Sequence, residues 1–282
     1  MQLYALDITT PVLASNAERN KNYICPECLS SVRVRGGPAR QTHFYHLSLP
    51  KQCRQHEKSP EHLQMQLKLL DLLGFDAQME YHFPTIQRIA DVAWTSKKIV
   101  FEIQCSPISL EEAQCRVLDY TEIGYDIVWI LHDNPFNRTN LSAAESFLRE
   151  IPCYFTNIDE TGYGTIYDQF EVLKDHQRLF KGPPLIVSPD LLSHLPSMAP
   201  PDIPLPKSVL NRFTKWKCYM QGDLLHRLLK EGNLSHSVKK MLSIEGQILE
   251  GNAIASIRLP LKRLIANSYR HVIDYLLKKL SN

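Results

Sequence analysis

Two short apolar runs, residues 89–94 and 99–104, flank the polar break Thr95-Ser-Lys-Lys98, and one carboxylate interrupts each of them, Asp91 in the first and Glu102 in the second. Runs of this length, rich in β-branched residues and split by a few polar ones, predict two strands joined by a tight turn. An ionised carboxylate inside an apolar strand is costly unless it meets a cation, so two of them on neighbouring strands point to a shared metal ion. Gln104 lies two residues beyond Glu102, and the period of a strand turns both side chains to one face. The plainer alternative is that Asp91 is satisfied locally at a strand end and that Glu102 pairs with Lys97 or Lys98.

The flanking pattern narrows the choice. Ser59, Pro60 and Glu61 supply an N-cap, a first-turn proline and a first-turn acid, which predict a helix whose face carries Leu63, Leu67, Leu70 and Leu73 and which Gly74 ends. Residues 75–83, containing Glu80, read as a strand that residues 84–88 separate from the strand of Asp91. After Ser106-Pro107, Ser109 and Glu112 form a capping box for a helix running through Leu118 and Tyr120 to Gly124. Residues 125–131 are almost uninterruptedly apolar, as expected of a strand buried on both faces. The order is αβββαβ, an α/β arrangement in which a mixed sheet is flanked by helices.

Upstream, residues 1–24 alternate weakly, with Leu3, Ala5 and Ile8 as inward positions. Cys25-Pro-Glu-Cys28 is followed by His43-Phe-Tyr-His46, then Cys53 and His56. A tetrahedral structural zinc takes four such ligands. Cys25 and Cys28 form one half of the set and His46 with Cys53 the other, His43 being the rival for the histidine. A ribbon of this size has little core of its own, so the metal would supply much of its stability. The seven cysteines form no dense disulfide framework, which fits a reducing compartment.

Taken together, Arg88-Ile-Ala-Asp91-Val, Phe101-Glu102-Ile-Gln104-Cys-Ser106-Pro-Ile-Ser109, Arg116-x-x-x-Tyr120 and Trp129-Ile-Leu131 make the chain similar to the competence protein CoiA-like family. The Cys-x-x-Cys and His-Phe-x-His segment and the helix start Ser59-Pro-Glu61-His62 extend that resemblance over roughly residues 20–135. It implies a restriction-endonuclease-like, PD-(D/E)XK, core with an N-terminal zinc ribbon, acting on DNA as a nuclease in competence, uptake or recombination. On that pattern Asp91 and Glu102 hold a catalytic Mg²⁺ or Mn²⁺ and Glu80 is a third candidate acid. Gln104 takes the place usually held by lysine, which it matches in hydrogen bonding but not in charge. Arg88, Arg116 and Tyr120 are candidate phosphate contacts. DNA, including single-stranded DNA, is the expected partner, alongside recombination or competence proteins.

The remaining organisation follows composition. Residues 1–57 read as the zinc-ribbon segment and 58–180 as the nuclease-like domain. Residues 181–207, holding eight of the chain's 18 prolines, read as a semi-rigid linker. Residues 208–282 read as an all-α region, with helices over 208–231, 235–245 and 259–280, the last bearing Lys262, Arg263, Arg270, Lys278 and Lys279, with Arg258 just before it. Residues 1–206 carry 18 Lys and Arg against 25 Asp and Glu, whereas 207–282 carry 14 against 5. That asymmetry is expected where one end meets a polyanion. With no apolar run of membrane-spanning length and no signal-peptide pattern at the N-terminus, a cytoplasmic location is expected.

Metal-bound water attacking a phosphodiester is therefore the leading mechanism, and DNA binding without turnover is the alternative. The hydrolytic mechanism requires Asp91 and Glu102 to converge on one pocket. Carboxylates turned apart, or each already neutralised by a basic neighbour, would be grounds to abandon it.

Overall fold

The computed structural model describes residues 2–37, 40–48, 53, 58–195, 203–230 and 237–251. Five short antiparallel strands, β1 (Tyr4–Asp7), β2 (Thr10–Leu13), β3 (Tyr23–Ile24), β4 (Ser31–Gly37) and β5 (Arg40–His46), form an N-terminal sheet in the order β2-β1-β3-β4-β5. Its core is small: Ala5, Ala14, Tyr23, Val32, Val34 and Phe44 pack with Cys25 and Cys53. Leu3 and Ala5 point inward as expected, but Ile8 is 80% exposed. It occupies the β1–β2 turn with a positive φ of 61°, where the side chain cannot reach the core.

Next come α1 (Pro60–Leu73), β6 (Ala77–Phe83), β7 (Arg88–Trp94), β8 (Ile99–Gln104), α2 (Leu110–Glu122) and β9 (Asp126–His132), the helix and strand order expected from the sequence. Ser59 Oγ accepts from the His62 N–H to cap α1, and Ser109 Oγ does the same for Glu112 in α2. The chain continues through α3 (Ala143–Leu148), β10 (Cys153–Thr156), β11 (Ile166–Asp168), the hairpin β12 (Glu171–Lys174) and β13 (Gln177–Lys181), and β14 (Leu185–Ile186). Among the described residues the main sheet has seven strands in the order β14-β11-β10-β9-β8-β7-β6. The central β8, β9 and β10 run parallel and the other pairings are antiparallel, so the sheet is mixed.

Helices cover both faces of this sheet. Met65, Leu69 and Leu73 of α1 pack with Val92, Phe101, Ile103 and Val128 on one side. Ala113 and Tyr120 of α2 pack with Ala93, Val100, Trp129 and Leu131 on the other. The buried face of α1 therefore differs from the expected leucine stripe. Leu63, Met65, Gln66, Leu69 and Leu73 are buried, while Leu67 and Leu70 lie partly covered beside Leu3 and Leu13 of the N-terminal sheet. The helix is wedged between two sheets, and its apolar surface is shared between them.

The C-terminal part departs most from expectation. The segment predicted as a linker carries β14 and β15 (Ser188–His194), and the segment predicted as all-α contains β16 (Cys218–Gln221) between α4 (Lys207–Lys215) and α5 (Leu224–Lys230). β15 pairs with β16, and Val209, Phe213, Trp216, Met220, Leu224 and Leu225 join the core beneath α1. Buried Arg212 of α4 holds Asp168 of β11, with Nη2 2.7 Å from Oδ1. Residues 237–251 are helical. The last predicted helix, with its basic residues, lies outside the described residues.

Candidate functional site

Two centres face one another. In the first, the ligand atoms of Cys25, Cys28, His46 and Cys53 all lie within 4.8 Å of one another. Cys25 Sγ is 3.6 Å from Cys53 Sγ, and Cys28 Sγ is 3.2 Å from His46 Nε2. Zn–S bonds of about 2.3 Å at tetrahedral angles place two sulfurs about 3.7 Å apart, so the cluster fits a zinc ion. The turn between the first two cysteines is fixed by its backbone: the Leu29 N–H donates to the Cys25 carbonyl at 3.0 Å, and Leu29 takes a left-handed φ of 57°. His43, the rival ligand, is buried elsewhere in β5, where its Nε2 accepts from Arg35 Nε at 3.0 Å.

The second centre lies at the end of the β7–β8 ladder. The register pairs Trp94 with Ile99, Ala93 with Val100 and Val92 with Phe101. The next pair in that register is Asp91 with Glu102, and there the strands part. The Asp91 carboxylate replaces the missing backbone partner, Oδ2 accepting from the Ile103 N–H at 2.9 Å. Asp91 Oδ1 accepts from Lys58 Nζ at 3.0 Å and lies 2.9 Å from His62 Nε2. The Gln66 amide donates to the Asp91 carbonyl at 2.9 Å. Burial alone would raise the pKa of Asp91, but His62, Lys58 and the Ile103 amide hold it far below the usual carboxylate range.

Glu102 shares its sheet face with Val100 and turns toward α2. Its Oε1 accepts from the Tyr120 hydroxyl at 2.8 Å, and its Oε2 from Arg116 Nη1 at 2.5 Å. Burial raises its pKa, and the nearby charge of Asp91 adds to that, so Arg116 does not fully offset the cost of a buried anion. Glu112, Arg116 and Tyr120 recur at helical spacing along one face of α2. Glu112 Oε1 accepts from Arg116 Nε at 2.9 Å and from Arg88 Nη1 at 2.7 Å, and Arg88 Nε reaches Asp119 at 2.7 Å. Gln104 donates to the Ser106 carbonyl at 2.6 Å.

Asp91, Glu102, Gln104, Arg88, Arg116, Tyr120, Lys58 and His62 line one cleft of about 810 Å³. Pro26, Glu27 and Leu29 of the cysteine turn form part of its wall. Glu80, the third expected acid, does not line the cleft. It sits where the β6–β7 register skips the partner of Asp91, in a left-handed conformation with φ 53°, and accepts from Lys58 Nζ at 3.2 Å. Its Oε2 is buried without a hydrogen-bond partner among the described atoms. Lys58 was given no role by sequence reasoning. His62 belongs to the quoted Ser-x-Glu-His start of α1, but the approach of that helix end to Asp91 is a tertiary fact.

The sequence–structure combination is that of a nuclease-like domain carrying a cysteine and histidine metal cluster. Residues 56–163 match the family model described as competence protein CoiA, nuclease-like domain, and residues 8–56 match competence protein CoiA, N-terminal domain. The two matches are contiguous and span more than half of the chain, which belongs to the competence protein CoiA family. No curated protein and no solved structure matches it. No helix among the described residues is long and apolar enough to cross a membrane.

Proposed function

We propose that this chain is a metal-dependent nuclease of the restriction-endonuclease-like, PD-(D/E)XK, kind that acts on DNA in competence-linked uptake or recombination. One observation carries the reading: two carboxylates from adjacent strands, Asp91 and Glu102, open into the same cleft beside Gln104. Asp91 and Glu102 would hold Mg²⁺ or Mn²⁺, which when bound supplies an activated water and Lewis-acid neutralisation of the phosphoryl oxygens. Tyr120 and Arg116 orient Glu102, and the Ile103 amide orients Asp91.

The requirement that neither acid be neutralised by a basic neighbour is not met, because Lys58 pairs with Asp91 and Arg116 with Glu102. The charge inventory answers this. Glu80, Asp91 and Glu102 face Lys58, Arg116 and His62, so the buried cluster keeps a negative excess while His62 is neutral. One Glu80 oxygen has no hydrogen-bond partner among the described atoms, and burial, with the charge of Asp91 added, raises the pKa of Glu102. A cluster in that state favours a further cation. The zinc cluster stiffens the cleft wall formed by Pro26, Glu27 and Leu29. The basic C-terminal quarter supplies salt-sensitive attraction for the polyanion.

A second reading, DNA binding without turnover, is favoured by the filled hydrogen-bond positions of Asp91 and by the uncharged Gln104, whose amide is turned to Ser106. The test compares wild type, Asp91→Ala and Glu102→Ala on single- and double-stranded DNA with Mg²⁺ or Mn²⁺. Cleavage lost in both variants supports the nuclease. Binding in all three proteins with cleavage in none selects the second reading.

A further inference from the structure

The position two residues after Glu102, which the nuclease pattern gives to a lysine, holds Gln104 here, whose Nε2 is committed to Ser106 at 2.6 Å from the carbonyl. A cation is nevertheless present in the cleft, from another element. Lys58 lies just before the N-cap of α1. Its Nζ is 3.0 Å from Asp91 Oδ1 and 3.2 Å from Glu80 Oε1, and its side chain is 10% exposed and lines the cleft. We propose that Lys58 is the catalytic cation of this site, supplying from the start of α1 the charge that Gln104 cannot supply from β8. The proposal rests on the nuclease reading above.

Three features support the assignment. Lys58 stands between Asp91, which the cleft exposes to a substrate, and Glu80, which the cleft does not reach. Glu80 thereby acts as a positioning residue for the ammonium rather than as a metal ligand: at the irregularity where the β6–β7 register skips it and Asp91, its backbone is left-handed, with φ 53°, and its carboxylate meets Lys58. Its Nζ pairs with both carboxylates, at 3.0 and 3.2 Å, a geometry that suits charge neutralisation. In the hydrolysis it serves, a water oxygen bonds to phosphorus and the P–O bond to the departing oxygen breaks. The water's proton passes to solvent and the departing oxygen takes one from solvent. Lys58 donates hydrogen bonds to a non-bridging oxygen and exchanges no proton.

The experiment uses the full chain with zinc bound and reads DNA cleavage and Mn²⁺ affinity at neutral pH, the latter by electron paramagnetic resonance titration. Lys58→Met is expected to cut at least 100-fold more slowly while binding Mn²⁺ at least as tightly as wild type, because a cation next to Asp91 has been removed. Lys58→Met/Gln104→Lys, which returns the charge from the strand, is expected to regain at least tenfold. Glu80→Gln is expected to slow cleavage less than Lys58→Met and to leave zinc content unchanged. A Lys58→Met protein that cuts like wild type, or that loses Mn²⁺ affinity and zinc along with activity, overturns the proposal. A wild type that binds DNA but never cuts it overturns the nuclease reading and this proposal with it. A wild type that cuts, with Lys58→Met its equal, overturns this proposal alone.

Discussion

Asp91→Asn and Glu102→Gln are both expected to end cleavage, yet they should differ sharply in what they do to the fold. Asp91 accepts at both oxygens, from Lys58 and at 2.9 Å from the Ile103 amide, with His62 Nε2 also 2.9 Å away. An asparagine offers one acceptor oxygen, so whichever way it turns, its NH₂ faces a donor. Removing one partner of a buried ion pair costs about 3–5 kcal/mol, and since Lys58 keeps Glu80 the lower figure, about 3 kcal/mol, applies. Glu102 is the opposite case. Burial has raised its pKa, so its ionised form is the costly one in the folded state. A glutamine there accepts from Arg116 and donates to the Tyr120 oxygen, and Arg116 keeps Glu112 at 2.9 Å. Its cost is expected to stay within about 1 kcal/mol. The pH signs follow: the stability contributed by Asp91 is present above its ordinary value of 3.8 and lost as pH falls below it, whereas that linked to Glu102 is present below 4.5 and lost as pH rises through its raised value. Urea unfolding at pH 7 with zinc present measures both. At roughly 2–4 °C per kcal/mol, Asp91→Asn should melt about 6–12 °C below wild type. Glu102→Gln costing as much as Asp91→Asn would refute this electrostatic account.

The purified chain should carry one zinc in this cluster, lost in Cys53→Ala and retained in His43→Ala, as elemental analysis will show. Chelating that zinc should weaken DNA binding even in a protein that cannot cut, because Pro26, Glu27 and Leu29 wall the cleft; unchanged affinity would mean that the turn does not need the metal. Glu171 is held by Arg149 at 2.7 Å and Arg178 at 2.8 Å. Despite burial these arginines lower its pKa to about 2. Its contribution should therefore be complete above about pH 4.5 and fall away toward pH 2, and Glu171→Gln should cost about 3–5 kcal/mol at neutral pH and flatten that acid limb.

The central αβββαβ order and the metal-ligand set were legible because their signals are local: a capped helix start, β-branched runs with a polar turn, and cysteines and histidines at ligand spacing. The cleft's cations were not. Lys58 and His62 lie about thirty residues before Asp91, and nothing in their own neighbourhood distinguishes them from the charged start of an ordinary helix. Glu80 was visible as an acid in a strand, but its left-handed backbone, which turns it to Lys58, was not. The C-terminal part misled for a different reason. Prolines predicted a linker, yet Pro183 and Pro184 precede β14 and Pro189 sits near the start of β15, positions that strands tolerate. β16 is only four residues long, too short for its period to be told from that of a helix.

The most direct test of the account is the position of manganese in crystals of the zinc-loaded protein, read from anomalous scattering. The account predicts a manganese ion bound by one oxygen each of Asp91 and Glu102, with Lys58 still beside Glu80. Crystals saturated with Mn²⁺ that show none there, with Lys58 and Arg116 unmoved on the two carboxylates, would contradict it.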